Sequence, residues 1–204
     1  MTCSQLVLAS GNTGKLAELS ALLGPLGIEI SSQSEFGVES PEETSQTFLD
    51  NALIKARYAA QIAGLPAIAD DSGLCVDVLD GAPGVYSARY AGESASDEEN
   101  LNKLLSVLED VADTERSARF ESVVVYVRDA DDSEPVIGHG VWRGEILRAR
   151  RGNGGFGYDP IFWVSELGCS AAELSASSKN DHSHRGQALR RLLGKLQGIP
   201  GGAG

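Results

Sequence analysis

Apolar positions change their spacing along this chain, and the changes mark its elements. Gln5 to Ala9 is a short apolar run of the kind that forms a buried strand. Gly14 to Leu23 places Leu16, Leu19, Leu22 and Leu23 on one helical face, and Gly24-Pro25 stops the helix. Ile28 to Ser31 reads as a second short strand. Ser40-Pro41-Glu42-Glu43 has a capping Ser, a Pro at the first helical position and a Glu three residues on. A helix is predicted from there to about Ala63, with Phe48, Ala52, Ala56 and Ala59 inward and Gly64 past its end. Pro66 to Asp70 predicts a strand and Leu74 to Val78 another, followed by a Gly-, Pro- and Tyr-rich loop from Gly81 to Gly92. Ser96 opens a capped helix with Leu101, Leu104, Leu105 and Leu108 inward. Ala118 to Arg128 and Val136 to Leu147 alternate as strands and pair as a hairpin across an Asp-rich turn. A glycine-rich loop from Gly152 to Asp159, a strand at Ile161 to Val164 and a helix from His184 to Leu196 complete the pattern, with a frayed Gly-rich end at 198–204. Helices and strands alternate first and a hairpin follows, which predicts an α/β protein with a mixed sheet. No repeat or linker divides the 204 residues, so one domain is expected.

Charge narrows the partners. The net charge is −12, which repels nucleic-acid polymers and anionic membranes while leaving room for a small anion held by backbone N–H groups and a metal. No apolar run approaches the roughly 18 residues of a membrane span. The first residues lack a basic segment, so no signal peptide is expected. Cys3, Cys75 and Cys169 are scattered, which fits a reducing cytoplasm and neither a disulfide framework nor a zinc site.

Five stretches carry candidate chemistry. Ser10-Gly11-Asn12-Thr13-Gly14-Lys15 joins a strand to a helix through small residues, exposing N–H groups where the helix dipole favours an anion. Asn12 offers a further donor and Lys15 a positive charge; an ordinary turn with a surface lysine is the plain alternative. The usual P-loop is absent, because Ala9 and Leu16 stand where it needs Gly and Ser or Thr. Asp70 and Asp71 end an apolar strand, and strand geometry points them to opposite faces with different tasks. One can bind a divalent cation while the other orients it or holds a lysine; Asp-Ser-Gly is also good turn chemistry. Glu42, Glu43 and Lys55 read equally as helix-start acids with a solvated lysine, or as groups for a metal, a phosphate or an aspartate. Gly152 to Pro160 gathers glycines around Phe156 and Tyr158, a loop that can approach a flat ligand under a stacking ring, with a plain glycine-rich turn as the alternative. Ser178 to Arg185 is dense in donors, with His184 and Arg185 expected in a helix's first turn, where basic groups oppose the dipole; a basic surface patch is the plain alternative, and no Cys or third His has the spacing to join His182 and His184 around a metal.

In order, SGNTGK, TFLDNALIKA, ADDSGLCVDVLDGAPGVYSARYAG, GGFGYDPIF and SKNDHSHRGQAL closely resemble the XTP/dITP diphosphatase family, the inosine-triphosphate pyrophosphatases that clear deaminated purine nucleotides. The resemblance spans about residues 5 to 197. It implies an elongated α/β protein with a long mixed sheet, two lobes and an active-site cleft between them. It also implies a cytoplasmic homodimer that splits ITP, dITP or XTP into the monophosphate and pyrophosphate, with one Mg²⁺ per subunit. Other modified nucleotides, or nucleotide sensing without turnover, are the alternatives.

Carried onto this chain, the resemblance implies that Ser10 to Lys15 cradle the triphosphate. Asp71 is then the general base and a Mg²⁺ contact, and Ser72 touches substrate. Phe156, Gly157, Tyr158 and Asp159 hold base and sugar, with Phe156 stacking, while Lys179, His184 and Arg185 read the purine. The metal-binding glutamate falls at Glu42 or Glu43, and spacing to Phe48 favours Glu43. Lys55 and Asp70 are accessory charges. Asp50 departs from the family's usual Glu, keeping the charge on a shorter side chain.

Overall fold

A computed structural model of the chain describes residues 5–198. Cys3 and the tail from 199 onward lie outside them. Seven strands form one mixed sheet, ordered β2-β1-β3-β4-β5-β6-β7. The strands are β1 (Gln5–Leu8), β2 (Glu29–Ser32), β3 (Ala67–Val76), β4 (Ser117–Val127), β5 (Val136–Ile146), β6 (Phe162–Val164) and β7 (Cys169–Ser170). Strand β1 runs parallel to β2 and β3, and β6 runs antiparallel to β5 and β7. The helices are α1 (Thr13–Leu23), α2 (Phe48–Ala63), α3 (Asp97–Val107), α4 (Ala176–His182) and α5 (His184–Gly198). The α/β class and the mixed sheet are as the periodicity predicts.

The chain groups into two compact units. The first holds the residues up to Asp71, Ser122–Gly140 and those from Arg185 on; the second holds Ser72–Glu121 and Val141–His184. In the first unit, neighbouring strand residues enter different cores. Val7, Ala67 and Val123 pack with Ala52, Ala56 and Ala59 of α2, while Leu8, Ile68 and Val124 pack with Leu19, Leu23, Leu189 and Leu192. Helices thus cover both faces, which explains why β1 reads as an unbroken apolar run. Helix α5 comes so close to β5 that a Cβ at Gly138 would lie 2.0 Å from the Ala188 carbonyl oxygen.

The second unit packs Leu74, Val76, Leu101, Leu104 and Leu108 against Phe120, Trp142 and Phe162. Ring centroids of Phe120 and Phe162 lie 4.6 Å apart, and those of Trp142 and Phe162 lie 5.3 Å apart. A capping box between Ser96 and Glu99 starts α3 as the sequence predicts.

Three expectations need correction. Helix α2 starts at Phe48, not Ser40, and Thr47 is its cap, accepting from the Asp50 N–H. A longer helix would add Glu42, Glu43, Thr44 and Ser45 to its first turns and gain almost no apolar face. The predicted strands at Pro66–Asp70 and Leu74–Val78 are one strand, β3, because the intervening aspartates find cationic or amide partners instead of forming a turn. The stretch before the last helix contains α4, capped by Ser175, whose hydroxyl accepts from the Ser178 N–H. A further turn of 3-10 helix, Gly84–Arg89, lies within the predicted Gly81 to Gly92 loop. Gly73 allows it to pack against β3, since a Cβ there would sit 2.1 Å from the Gly84 carbonyl oxygen.

Candidate active site

In the first unit, the Ser10 to Lys15 segment links β1 to α1. Asn12 is the helix N-cap, and its Oδ1 accepts from the N–H groups of Gly14 (2.9 Å) and Lys15 (3.1 Å). Two of the donors expected to face a ligand therefore cap the helix, and the carbonyl end of Asn12 is occupied, leaving its amide end for a ligand. Ser10 Oγ accepts from the Asn12 N–H at 3.2 Å, which shapes the turn. Gly11, Asn12 and Thr13 are exposed.

Asp70 and Asp71 do point to different partners. Asp70 is buried, and its Oδ2 lies 3.1 Å from both Lys15 Nζ and Arg185 Nε. Arg185 also pairs with Glu18 of α1. Burial alone would raise the Asp70 pKa, but Lys15, Arg185 and Lys55 hold it well below the ordinary carboxylate value. Burial lowers the Lys15 pKa, with Asp70 opposing the shift.

Asp71 belongs to a second set. Its Oδ1 lies 2.8 Å from Lys55 Nζ, which also lies 2.7 Å from Glu43 Oε1. Its Oδ2 accepts from Asn51 Nδ2 at 3.3 Å. Burial pushes the Asp71 carboxyl above its ordinary pKa against the pull of Lys55, and Glu43 adds to the rise. Lys55 is held above its ordinary value: burial works against its charge, but Asp71, Glu43 and Asp70 outweigh it. The Lys55 shift expresses an excess of negative charge around one ammonium; the Asp71 shift is first an effect of burial. Glu43, rather than Glu42, shares a cation with Asp71.

That donor set fits a hard divalent cation. Two carboxylates already converge on one cationic group, and Mg²⁺ takes one or two carboxylates with water and phosphate oxygens completing its shell. No cluster of three or more His, Cys, Asp or Glu suited to a metal occurs among the described residues.

In the second unit, Phe156 to Asp159 form a tied loop. Asp159 Oδ2 accepts from the Phe156 N–H (2.9 Å) and from Lys179 Nζ (2.7 Å). Lys179 Nζ also lies 4.6 Å from the Phe156 ring centroid, a cation–π contact. Gly155 has φ +72°, and a Cβ there would lie 2.0 Å from Asp159 Oδ2, so both backbone and space demand glycine. Gly157 N–H donates to Asp97 Oδ2 at 2.8 Å. Tyr158 is buried and its hydroxyl donates to the Ser87 carbonyl at 2.8 Å, which makes its ring a loop anchor. Ser72 is half-buried on β3. His184 is buried and stacks on Phe120 at 4.8 Å with ring planes 10° apart.

The structure thus assembles Lys15, Asp70 and Arg185; Lys55, Asp71 and Glu43; and Phe156, Asp159 and Lys179. Asp50, the departure noted in the sequence, accepts from Thr47 Oγ1 (2.7 Å) and Ser45 Oγ (3.2 Å). Its shorter side chain serves the start of α2. Sequence reasoning missed Asn51 and Glu18. Asn51 had a signal, lying four residues before Lys55 on the face that carries Ala52, Ala56 and Ala59. Glu18 had none, because its partner is 167 positions away.

This chain belongs to the Ham1 family, whose model matches residues 6–195. It is 58% identical over 193 residues to a dITP/XTP pyrophosphatase of Photorhabdus laumondii, covering 95% of this chain and 98% of that one. An Escherichia coli O157:H7 protein of the same name is also 58% identical over 193 residues, with the same coverage. A solved HAM1 protein from Coxiella burnetii superposes with a TM-score of 0.88 at 51% identity, covering 96% of this chain and 99% of that one.

Proposed function

We propose that this chain hydrolyses deaminated purine nucleoside triphosphates (dITP, XTP and ITP) to the monophosphate and pyrophosphate, with Mg²⁺. The near full-length likeness to dITP/XTP pyrophosphatases supports the reaction and its substrate class. The observation that carries the chemistry is the convergence of Glu43 and Asp71 on the Lys55 ammonium.

In this reading Asp71 takes a proton from the attacking water. The water oxygen bonds to the α-phosphorus, the bond to the bridging oxygen breaks, and pyrophosphate leaves. Glu43 and Asp71 would hold Mg²⁺, which supplies charge neutralisation at the phosphates. Lys15 and the Ser10 to Gly14 segment take the triphosphate, so Lys15 exchanges part of its pairing with Asp70 for a phosphate oxygen. Asp70 stays with Arg185. Phe156 supplies a stacking face for the base. Lys179, His184 and Arg185 are the readers of the purine O6. Hypoxanthine and xanthine offer an acceptor there, and adenine offers a donor that leaves such groups poorly paired. A site built on that match rejects the wrong base by roughly 10⁴-fold.

The same reading has the enzyme act as a homodimer in the cytoplasm, on free nucleotides and not on polymers, in keeping with the −12 charge. Its test is pyrophosphate release from dITP, XTP, ITP, ATP, GTP and dUTP, with Mg²⁺ or with EDTA. Rapid release from the first three, lost on chelation, with ATP and dUTP spared, is expected. Tight binding of the same nucleotides without release would instead make the chain a sensor.

A further inference from the structure

Asn51 is a neutral side chain bonded to Asp71 and to Ser45, two residues beyond Glu43. It is wholly buried on α2, surrounded on its own helix face by Ala52, Lys55 and Ala56. Its Oδ1 accepts from the Ser45 N–H at 3.0 Å, while its Nδ2 donates to the Ser45 carbonyl at 3.2 Å and to Asp71 Oδ2 at 3.3 Å. The first two bonds grip one residue of the irregular segment that carries Glu43, two positions earlier. The third fixes the rotation of the Asp71 carboxylate, whose other oxygen is held by Lys55.

This arrangement needs one acceptor and two donors on a short side chain, which only an amide supplies. Aspartate keeps the acceptor, loses both donors and adds a third carboxylate beside Asp71. Leucine keeps the approximate shape and loses all three bonds. A mere staple for the Ser45 segment would need no bond to Asp71, and a mere rotamer lock for Asp71 would need no bond to Ser45. Asn51 makes both.

We infer that Asn51 is a positioning residue that sets the spacing of Glu43 and Asp71 for a divalent cation. The inference rests on the assignment of those two carboxylates as the metal ligands. Lys55 bridges the same pair, but as an ammonium it competes with a cation; Asn51 holds the pair without competing.

The test uses full-length Asn51→Leu and Asn51→Asp. Mn²⁺ affinity without nucleotide is read by electron paramagnetic resonance, kcat and KM are measured for dITP, and melting temperature is recorded alongside. Groups that orient metal ligands are worth about 10–100-fold in affinity or activity. The expected result for Asn51→Leu is Mn²⁺ binding weakened about tenfold and kcat lowered about 10–100-fold, with KM for dITP within about threefold. Asn51→Asp is expected to keep or tighten Mn²⁺ binding through its added carboxylate while kcat still falls, a split that partial unfolding does not produce. The proposal is overturned if Asn51→Leu changes only the melting temperature and leaves Mn²⁺ affinity and kcat within twofold of the wild type. Normal hydrolysis in both variants would sink this inference and leave the proposed function standing. A wild-type chain that releases no pyrophosphate would sink the function, and Mn²⁺ affinity would still decide the role of Asn51.

Discussion

The two units hold their candidate functional side chains by different physics. In the first, Lys15, Lys55, Asp70, Asp71, Glu43 and Arg185 hold one another through buried or half-buried charge pairs. In the second, His184 stacks on the Phe120 ring, and the Phe156 ring faces the Lys179 ammonium of the buried Lys179–Asp159 pair. Charge pairs can trade partners when a phosphate or a cation arrives, because the incoming charge replaces the one released. Ring packing cannot trade in this way, so it suits a surface that must keep one shape for one flat ligand. On the proposed function the first set would trade partners with the phosphates and the cation, Arg185 excepted because it reads the base, and the second would hold one shape for that base.

The largest expected break in that contrast is Asp71→Asn. It removes the proposed proton acceptor, and turnover of dITP should fall by about 10²–10⁴-fold while calorimetry still shows nucleotide binding. Normal turnover would take Asp71 out of the chemistry. Lys15→Ala comes next: losing one charged contact to the triphosphate should cost about 1.5–3 kcal/mol, roughly 10–100-fold in kcat/KM. ATP and dITP should lose equally, since the change lies on the phosphate side; a change confined to dITP would blur the division between the sets. Phe156→Ala should cost about 1–3 kcal/mol of stacking, read as a raised KM with kcat nearly kept. Lys179→Met should narrow the preference for dITP over dATP about tenfold, the effect of one lost hydrogen bond. An unchanged preference would place base reading elsewhere.

The smallest effect concerns acid. Asp70 and Asp132 are buried carboxylates of the first unit held well below the ordinary range. Cations hold Asp70 low despite its burial. Asp132 is held by its bonds to Arg128, with burial opposing them, and the Glu134 N–H helps. A depressed carboxylate contributes stability that is complete above its unfolded pKa and is lost as pH falls toward its folded value. Between about pH 5 and 2 the first unit should lose stability as these carboxylates are protonated, and Asp70→Asn with Asp132→Asn should flatten that loss, followed by the NMR signals of the unit. An unchanged slope in the double variant would take both carboxylates out of it.

Much of the fold was legible because its elements obey single periods. Leu16, Leu19 and Leu23 announce α1, and Leu101, Leu104 and Leu108 announce α3. The failures came where a local signature competed with a distant partner. Ser40-Pro41-Glu42-Glu43 has the letters of a helix start, yet Thr47 and Asp50 supply the working cap, and helix begins where Ala52, Ala56 and Ala59 can be buried. Asp70-Asp71-Ser72-Gly73 has the letters of a turn, and partners such as Lys15, Lys55, Arg185 and Asn51 let it continue as strand. In the site, the aspartate pair and Lys55 could be singled out by position. The Glu18–Arg185 pair could not, because nothing local to either residue reports the other.

The most direct test of the account is hydrolysis of dITP in ¹⁸O-labelled water with Mg²⁺, followed by mass analysis of both products. Water activated by Asp71 and attacking the α-phosphorus predicts dIMP carrying one ¹⁸O and unlabelled pyrophosphate. Label in the pyrophosphate, or release of inorganic phosphate with dIDP, would contradict it.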